Sequence, residues 1–343
     1  MHLASEQAAL AAAGVSPQRF TLPHATIILG DQALVVIVDA GDRPGATAVR
    51  DAGEIVLSGV LPGPVGSGLG YFNADGARLV LAYIRLPDGL LPVGPARVAS
   101  LSGTHDGIVF GAALRPATRL TYDQLDLVRP APAVPLEDTA WLDLMRTDRI
   151  AALRAFIATW HAATPAGPVA YAPPTDAPEP LRTLYEAAEG RKSVLGAQNF
   201  LRPPAELTTD NGWVAFADEN QGAFVLEHRT GDPDPVVRDE IETLSGVLLQ
   251  FVLFEASFTS PMTVSGFLSD DELARLTALL RRVPLGPASW IGGPARLYAG
   301  PGLIVAADRT GDPDGQLVTV GANHRAALRP LRDLDLPWFD YDG

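Results

Sequence analysis

From Ile241 to Phe258 the chain is almost continuously apolar, and from Leu244 onward Ser245, Gln250 and Glu255 interrupt the run. A helix over this stretch has no side to offer to water, so it must be covered all round. The run also falls short of the roughly 20 apolar residues that a membrane span needs. The reading is a buried core helix, around which the rest of a globular domain has to be wrapped.

There is enough chain to do so. The 343 residues are 47% hydrophobic and 19% charged, with mean hydropathy +0.13, which excludes wholesale disorder and suits two domains of roughly 100–200 residues. Cysteine is absent, which excludes disulfide scaffolds, zinc ribbons and thiol catalysis. The balance of 26 basic against 40 acidic residues gives −14, the wrong sign for gripping phosphate backbones, so direct nucleic-acid binding is not expected. Lys192 is the only lysine; with every other cation an arginine, this reads as codon bias more than chemistry. The segment Met1–Glu6 lacks a basic leader, and its Ala-rich continuation reads as a short helix stopped by Gly14. The expected location is cytoplasmic, away from membranes.

The texture of the sequence changes once. From Ala25 to Arg129 short Val-, Ile- and Leu-rich runs alternate with Gly-Asp, Pro-Asp-Gly and Ala-Asp-Gly turns. These predict strands at 27–29, 33–38, 54–61, 78–84 and 107–113, arranged as a β-sandwich or a strongly bent sheet. Three prolines in Arg129–Pro135 then fix an extended backbone. Beyond them helices alternate with strands. Ile150, Leu153, Ile157 and Trp160 share a helix face; Leu181 to Ala188 form a helix ended by Gly190; Ser269 and Glu272 make a capping box before Leu273, Leu276 and Leu280. Strands are predicted at 213–217, 222–227, 303–307 and 317–320, with a closing helix at 326–331. The fold class is α+β: a β-rich domain over 1–130, a Pro-rich linker over 131–140, and a mixed sheet flanked by helices over 141–343.

Several motifs invite chemistry and fail on spacing. The six histidines include no pair at helical ligand spacing, so no metal site is expected. Ser102, His105 and Asp106 crowd into one short loop, whereas a triad gathers its members from separate elements. Gly66-Ser67-Gly68-Leu69-Gly70 is followed by a second turn at Tyr71–Gly76 rather than by a helix, and reads as a flexible loop. Asp312 and Asp314 suggest a calcium loop, but Leu317 and Asn323 stand where Gly and Glu are required. No catalytic residue, metal or cofactor is assigned. Arg229-Thr-Gly-Asp-Pro-Asp234 recurs unchanged as Arg309–Asp314, which reads as a shared turn type between strands.

The second region carries a resemblance. Ala197-Gln198-Asn199 leads to Pro203-Pro204, then to Asp218-Glu219-Asn220-Gln221-Gly222, Asp232-Pro233-Asp234-Pro235-Val236, and Leu244-Ser245. This order resembles the SUKH superfamily, named for fungal cell-wall-synthesis regulators and abundant as bacterial immunity proteins. Leu181–Gly190 matches its first helix, and Trp338 with Phe339 its aromatic ending. Two departures stand out: Phe224 in place of a common Trp, and Asp234 between prolines that the family sets side by side. The resemblance spans about Trp141 to Gly343 and implies a SUKH-like α+β domain. The function it implies is a non-enzymatic immunity protein that binds a toxin domain. The −14 charge suits a basic partner such as a nuclease-type toxin. A regulatory scaffold for host proteins, or an enzyme with its site in the N-terminal domain, are the alternative readings. Glu219, Asn220, Gln221, Asp232 and Asp234 are the candidate partner-binding residues, with Glu219–Gln221 also readable as a strand connection bonded to its own backbone, since amide side chains near turns usually bond locally.

Overall fold

A computed structural model of the chain describes residues 2–41, 48–70, 78–102, 108–129, 138–290, 294–309, 315–332 and 334–341. Most of the Ser102–Gly107 loop, the Tyr71–Gly76 turn, residues 131–137 of the Pro-rich stretch and Asp312 and Asp314 lie outside them. The fold is α+β and separates into two compact units, one ending at residue 133 and one covering Val134–Tyr341.

The first unit runs α1 (Glu6–Ala13), β1 (Gln18–Leu22), β2 (Ala25–Leu29), β3 (Ala33–Asp39), β4 (Val49–Asp51), β5 (Glu54–Leu61), α2 (Gly63–Gly68), β6 (Leu79–Leu86), β7 (Gly89–Ser102), β8 (Val109–Pro116) and α3 (Tyr122–Val128). Among the described residues, the eight strands join one sheet in the order β1-β2-β3-β6-β7-β8-β5-β4, with β3 and β6 parallel and the other pairs antiparallel. The sheet curls until β1 approaches β5, so the bent sheet is present rather than the sandwich. Val35 and Ile37 pack under Ala9 and Ala13 of α1, while Leu34, Val36 and Val38 face the main core. Burial on both faces explains why β3 reads as an unbroken apolar run instead of an alternation.

One expectation needs correction here, and two elements stand outside the expected set. The glycine-rich segment at 66–70 is not a free loop: Gly66–Gly68 complete α2, which starts after Pro62 with Pro64 in its first turn. Helix α3 was announced by a Thr121/Gln124 capping box that the β-rich texture hid. The longest strand, β7, is missing from the expected set because Pro92 and Pro95 argue against a central strand. A register shift opposite Ala82 and Tyr83 admits them.

The second unit contains α4 (Trp141–Leu144), α5 (Arg149–Trp160), α6 (Glu179–Ala188), β9 (Asn199–Leu201), β10 (Thr208–Asp210), β11 (Trp213–Glu219), β12 (Val225–Arg229), α7 (Leu244–Thr259), β13 (Met262–Leu268), α8 (Asp270–Thr277), β14 (Arg281–Arg282), β15 (Arg296–Gly300), β16 (Leu303–Asp308), β17 (Gln316–Ala322), α9 (Arg325–Arg332) and β18 (Trp338–Tyr341). A six-stranded antiparallel sheet, β14-β15-β16-β17-β13-β18, carries α7 on one face; α8 and α9 pack on the other. A small sheet has β11 at its centre, paired with β9, β10 and β12.

Helix α7 is the core helix the sequence demands. Every residue from Leu244 to Ser257 is buried, between α5 and α6 on one side and β15–β17 on the other. It starts after Thr243, however; Ile241 precedes the helix and is 81% exposed. The capping box of α8 is present in both directions, Ser269 to the Glu272 N–H and Glu272 to the Ser269 N–H. Helix α6 ends at Glu189 and Gly190, both at positive φ. A Cβ on Gly190 would fall 2.2 Å from the Val169 carbonyl oxygen, so only glycine fits this close pass.

Candidate functional site

The β11–β12 hairpin organises the candidate residues. At its tip Glu219 closes β11, and its Oε2 accepts from the N–H groups of Gln221 (2.7 Å) and Ala223 (3.2 Å). Gly222 takes φ +77° in open space, the conformation this turn requires. Gln198 reaches over from the strand start opposite: its Nε2 lies 3.4 Å from Glu219 Oε1, and its Oε1 accepts from Asn220 Nδ2 at 3.3 Å. The polar tripeptide therefore bonds its own turn and Gln198. Asn220 and Gln221 are exposed.

A buried acid fixes that wall. Glu255, on α7 and 2% exposed, accepts from the N–H groups of Ala197 (2.7 Å), Gln198 (3.0 Å) and Asn199 (2.9 Å) and from Asn199 Nδ2 (2.8 Å). In the sequence Glu255 is only an interruption of the apolar run. In the fold it clamps the Gln198-Asn199 step to the core helix, with each donor satisfied by a charged acceptor.

Between this wall and the six-stranded sheet opens a cavity of about 690 Å³. Phe254 and Phe258, one helical turn apart on α7, have ring centroids 4.9 Å apart. Trp290, from the connection between β14 and β15, meets Phe254 edge-on at 5.6 Å and Phe224 edge-on at 5.7 Å, and stacks on Phe251 behind them. Opposite stand Asp308, at the end of β16, and Leu317 and Thr319 of β17. Gln198, Asn199, Glu219 and Ser289 complete the polar part of the lining, which contains no Lys or Arg among the described residues. Ser289 Oγ donates to both oxygens of Glu240 (2.8 and 2.9 Å).

Asp308 is the unusual group. Its Oδ1 is sealed from solvent and has no hydrogen-bond partner, and desolvation raises its carboxyl above the ordinary aspartate value. Trp290 is 6% exposed, and its indole N–H is likewise buried without a partner. Neither residue stands out in the sequence. Trp290 lies in irregular backbone, and Asp308 immediately precedes a repeated turn motif.

At the other end of the hairpin the candidate acids are arranged differently. Trp213 pairs with Arg229 and Asp218 with Val225, so the Asp232 turn and the Glu219 turn are separated by the length of the strands, roughly 17 Å at ~3.3 Å per residue. The structure does not bring Glu219 together with Asp232 and Asp234 as one patch. Asp234 holds the start of α7: Oδ1 accepts from the Ser245 N–H (2.8 Å), and Oδ2 from Thr243 Oγ1 and Ser245 Oγ (both 2.7 Å). It acts as a helix cap instead of a free rim charge. Asp232 is exposed and borders a second cavity of about 770 Å³ walled by Pro174, Pro178, Pro204 and Pro233. His228, 2% exposed, also lines it; Nδ1 lies 3.0 Å from the Arg229 carbonyl, Nε2 has no partner, and burial lowers its pKa.

A Ser–His contact is present elsewhere in this unit, His161 Nδ1 to Ser193 Oγ at 3.4 Å. Burial, with Arg191 adding its charge, pushes His161 down to about 4, too weak a base to activate a hydroxyl at neutral pH. The described residues contain no cluster of three His, Asp or Glu placed to hold a metal ion, and no helix long and apolar enough to cross a membrane. Comparison with protein families, with curated proteins and with solved structures finds no match to this chain.

Proposed function

We propose that this chain is a non-enzymatic protein-binding module of the SUKH immunity type, which captures a basic partner such as a nuclease-type toxin domain. The observation that supports this most directly is the cavity beside α7: four aromatic side chains, the carboxylates of Asp308 and Glu219, and no lining Lys or Arg among the described residues. Rigid aromatic side chains around a partly desolvated charge are the material of an interface anchor site. The net charge of −14 adds a long-range field that speeds the approach of a basic domain.

The test is capture of partners by the tagged full chain in its own cell, identification by mass spectrometry, and measurement of binding with both proteins purified. A basic domain whose association slows steeply as salt rises is the expected result. Turnover of a substrate in hydrolase or nuclease panels, lost on a point change within Val134–Tyr341, would overturn the reading.

A further inference from the structure

We infer that the cavity beside α7 is the receptor for an arginine side chain presented by a peptide segment of the partner, with the guanidinium against Asp308 and the aliphatic stem among Phe224, Phe254 and Phe258. This rests on the binding-module reading and gives it a chemical anchor. Three properties of the cavity select that ligand.

Size comes first. A volume of about 690 Å³ is in the range of sites that enclose a compact organic ligand or a few peptide residues, and exceeds what one small ion fills. Wall chemistry comes second. Phe258 is 40% exposed and Phe224 half-buried, so aromatic surface is available at the opening while Phe254 and Trp290 form the floor. A guanidinium is planar and weakly hydrated, and it stacks on aromatic faces more readily than an ammonium does. Charge comes third. Asp308 lines the cavity as a carboxylate with an oxygen that has no hydrogen-bond partner, while Glu219, its oxygens held by the turn N–H groups and Gln198, and Glu240, held by Ser289, add only their negative field. No described Lys or Arg in the lining answers them. A neutral apolar ligand would deepen the desolvation of Asp308, whereas a cation compensates it.

The probes are N-acetyl-arginine amide, its neutral isostere N-acetyl-citrulline amide and N-acetyl-lysine amide, titrated into the full-length protein by calorimetry. The arginine probe should bind saturably and at least about tenfold more tightly than citrulline, the scale of one cation–aromatic and carboxylate contact. Asp308→Asn should bring arginine and citrulline to within about twofold of each other. Phe258→Ala, at a partly exposed position that does not endanger folding, should weaken the arginine probe as well; melting curves confirm that both variants are folded. Equal binding of arginine and citrulline, a lysine probe that matches arginine, no saturable binding, or discrimination that survives Asp308→Asn each overturns the assignment. Arginine binding with no basic partner captured overturns the module reading alone. A captured basic partner whose affinity is indifferent to Asp308→Asn and Phe258→Ala overturns the arginine pocket alone.

Discussion

The two ends of the β11–β12 hairpin carry similar acidic turns and use them in opposite ways. At the Glu219 end the turn satisfies itself, and the unsatisfied charge beside it belongs to Asp308, a residue from another sheet. At the far end Asp234 is consumed in starting α7, and Asp232 is left facing solvent. Acidic composition therefore says little about which carboxylate is available to a partner. What decides it is whether backbone N–H groups lie within reach, because a carboxylate that meets them becomes part of the scaffold.

The largest effect should come from removing the clamp that supports the cavity end. Glu255→Ala leaves four donors without their acceptor, three of them backbone N–H groups, in a buried site. A loss of about 3–5 kcal/mol is expected, from several unsatisfied groups at about 1–3 kcal/mol each, offset by partial relaxation. Glu255→Gln retains one acceptor and should cost less. Urea unfolding of the full chain, followed by tryptophan fluorescence, measures both. A loss below about 1 kcal/mol for the alanine variant would show that the Gln198 wall holds without the clamp and would break the contrast between the two ends.

Asp234→Ala tests the other end. Deleting a side chain that caps a helix start typically costs about 1–2 kcal/mol, and Asp234 accepts one backbone N–H and two hydroxyl bonds there. Asp232→Ala, two residues away and exposed, should stay within about 0.5 kcal/mol of the parent. Equal effects of the two substitutions would mean that Asp234 is not the cap its geometry describes.

The two ends should also answer acid in opposite directions. Burial raises the folded-state pKa of Asp308 above its unfolded value, so its ionised form is a cost to the fold at neutral pH; that cost is relieved as pH falls through the raised value. Burial lowers the folded-state pKa of His228, so the unfolded chain takes the proton first, and stability is lost as pH falls below the ordinary histidine value near 6.5. Asp308→Asn should therefore raise stability at pH 7 and remove the acid-side gain. His228→Gln should flatten the loss that begins below pH 6.5. Unfolding curves of both variants and the parent across this range, taken as differences, isolate each group from the other carboxylates. A pH response of the same sign from both would contradict their burial.

The sequence makes the large pieces legible because their signals are local. An apolar run too long for any other place announces α7, and Ser269 with Glu272 marks the start of α8. Backbone chemistry close in sequence is legible in part: of the two readings open for Glu219–Gln221, the geometry displays the bonds of a turn to its own backbone, while partner contact by the same residues is a matter for the binding experiment. The cavity is not legible, because Phe224, Phe254, Trp290 and Asp308 come from four separate segments and share no period. Phe254 and Phe258 in particular have the spacing of ordinary core residues, and only the position of α7 over the sheet turns their rings toward an opening. Strand β7 was hidden by its prolines for the same reason, since the bulge that accommodates them exists only once β6 lies alongside.

The smallest expected effect concerns Asp232 as a distant contributor to partner encounter. Its side chain is exposed and accepts no hydrogen bond among those described above, so it acts on a basic partner only through its field. Such fields decay over about 10 Å at 0.1 M salt, and exposed charges of this kind change association rates more than dissociation rates. Asp232→Ala should slow association with a captured basic partner by about twofold at low ionic strength and leave it unchanged at high ionic strength, with dissociation unaffected throughout. Asp308→Asn should do the reverse, raising the dissociation rate at every salt concentration, because a desolvated contact is screened little. Stopped-flow measurements of the two variants across a salt series separate these outcomes. If Asp232→Ala speeds dissociation at high salt, the far end of the hairpin is in direct contact with the partner, and the division of labour between the two ends is wrong.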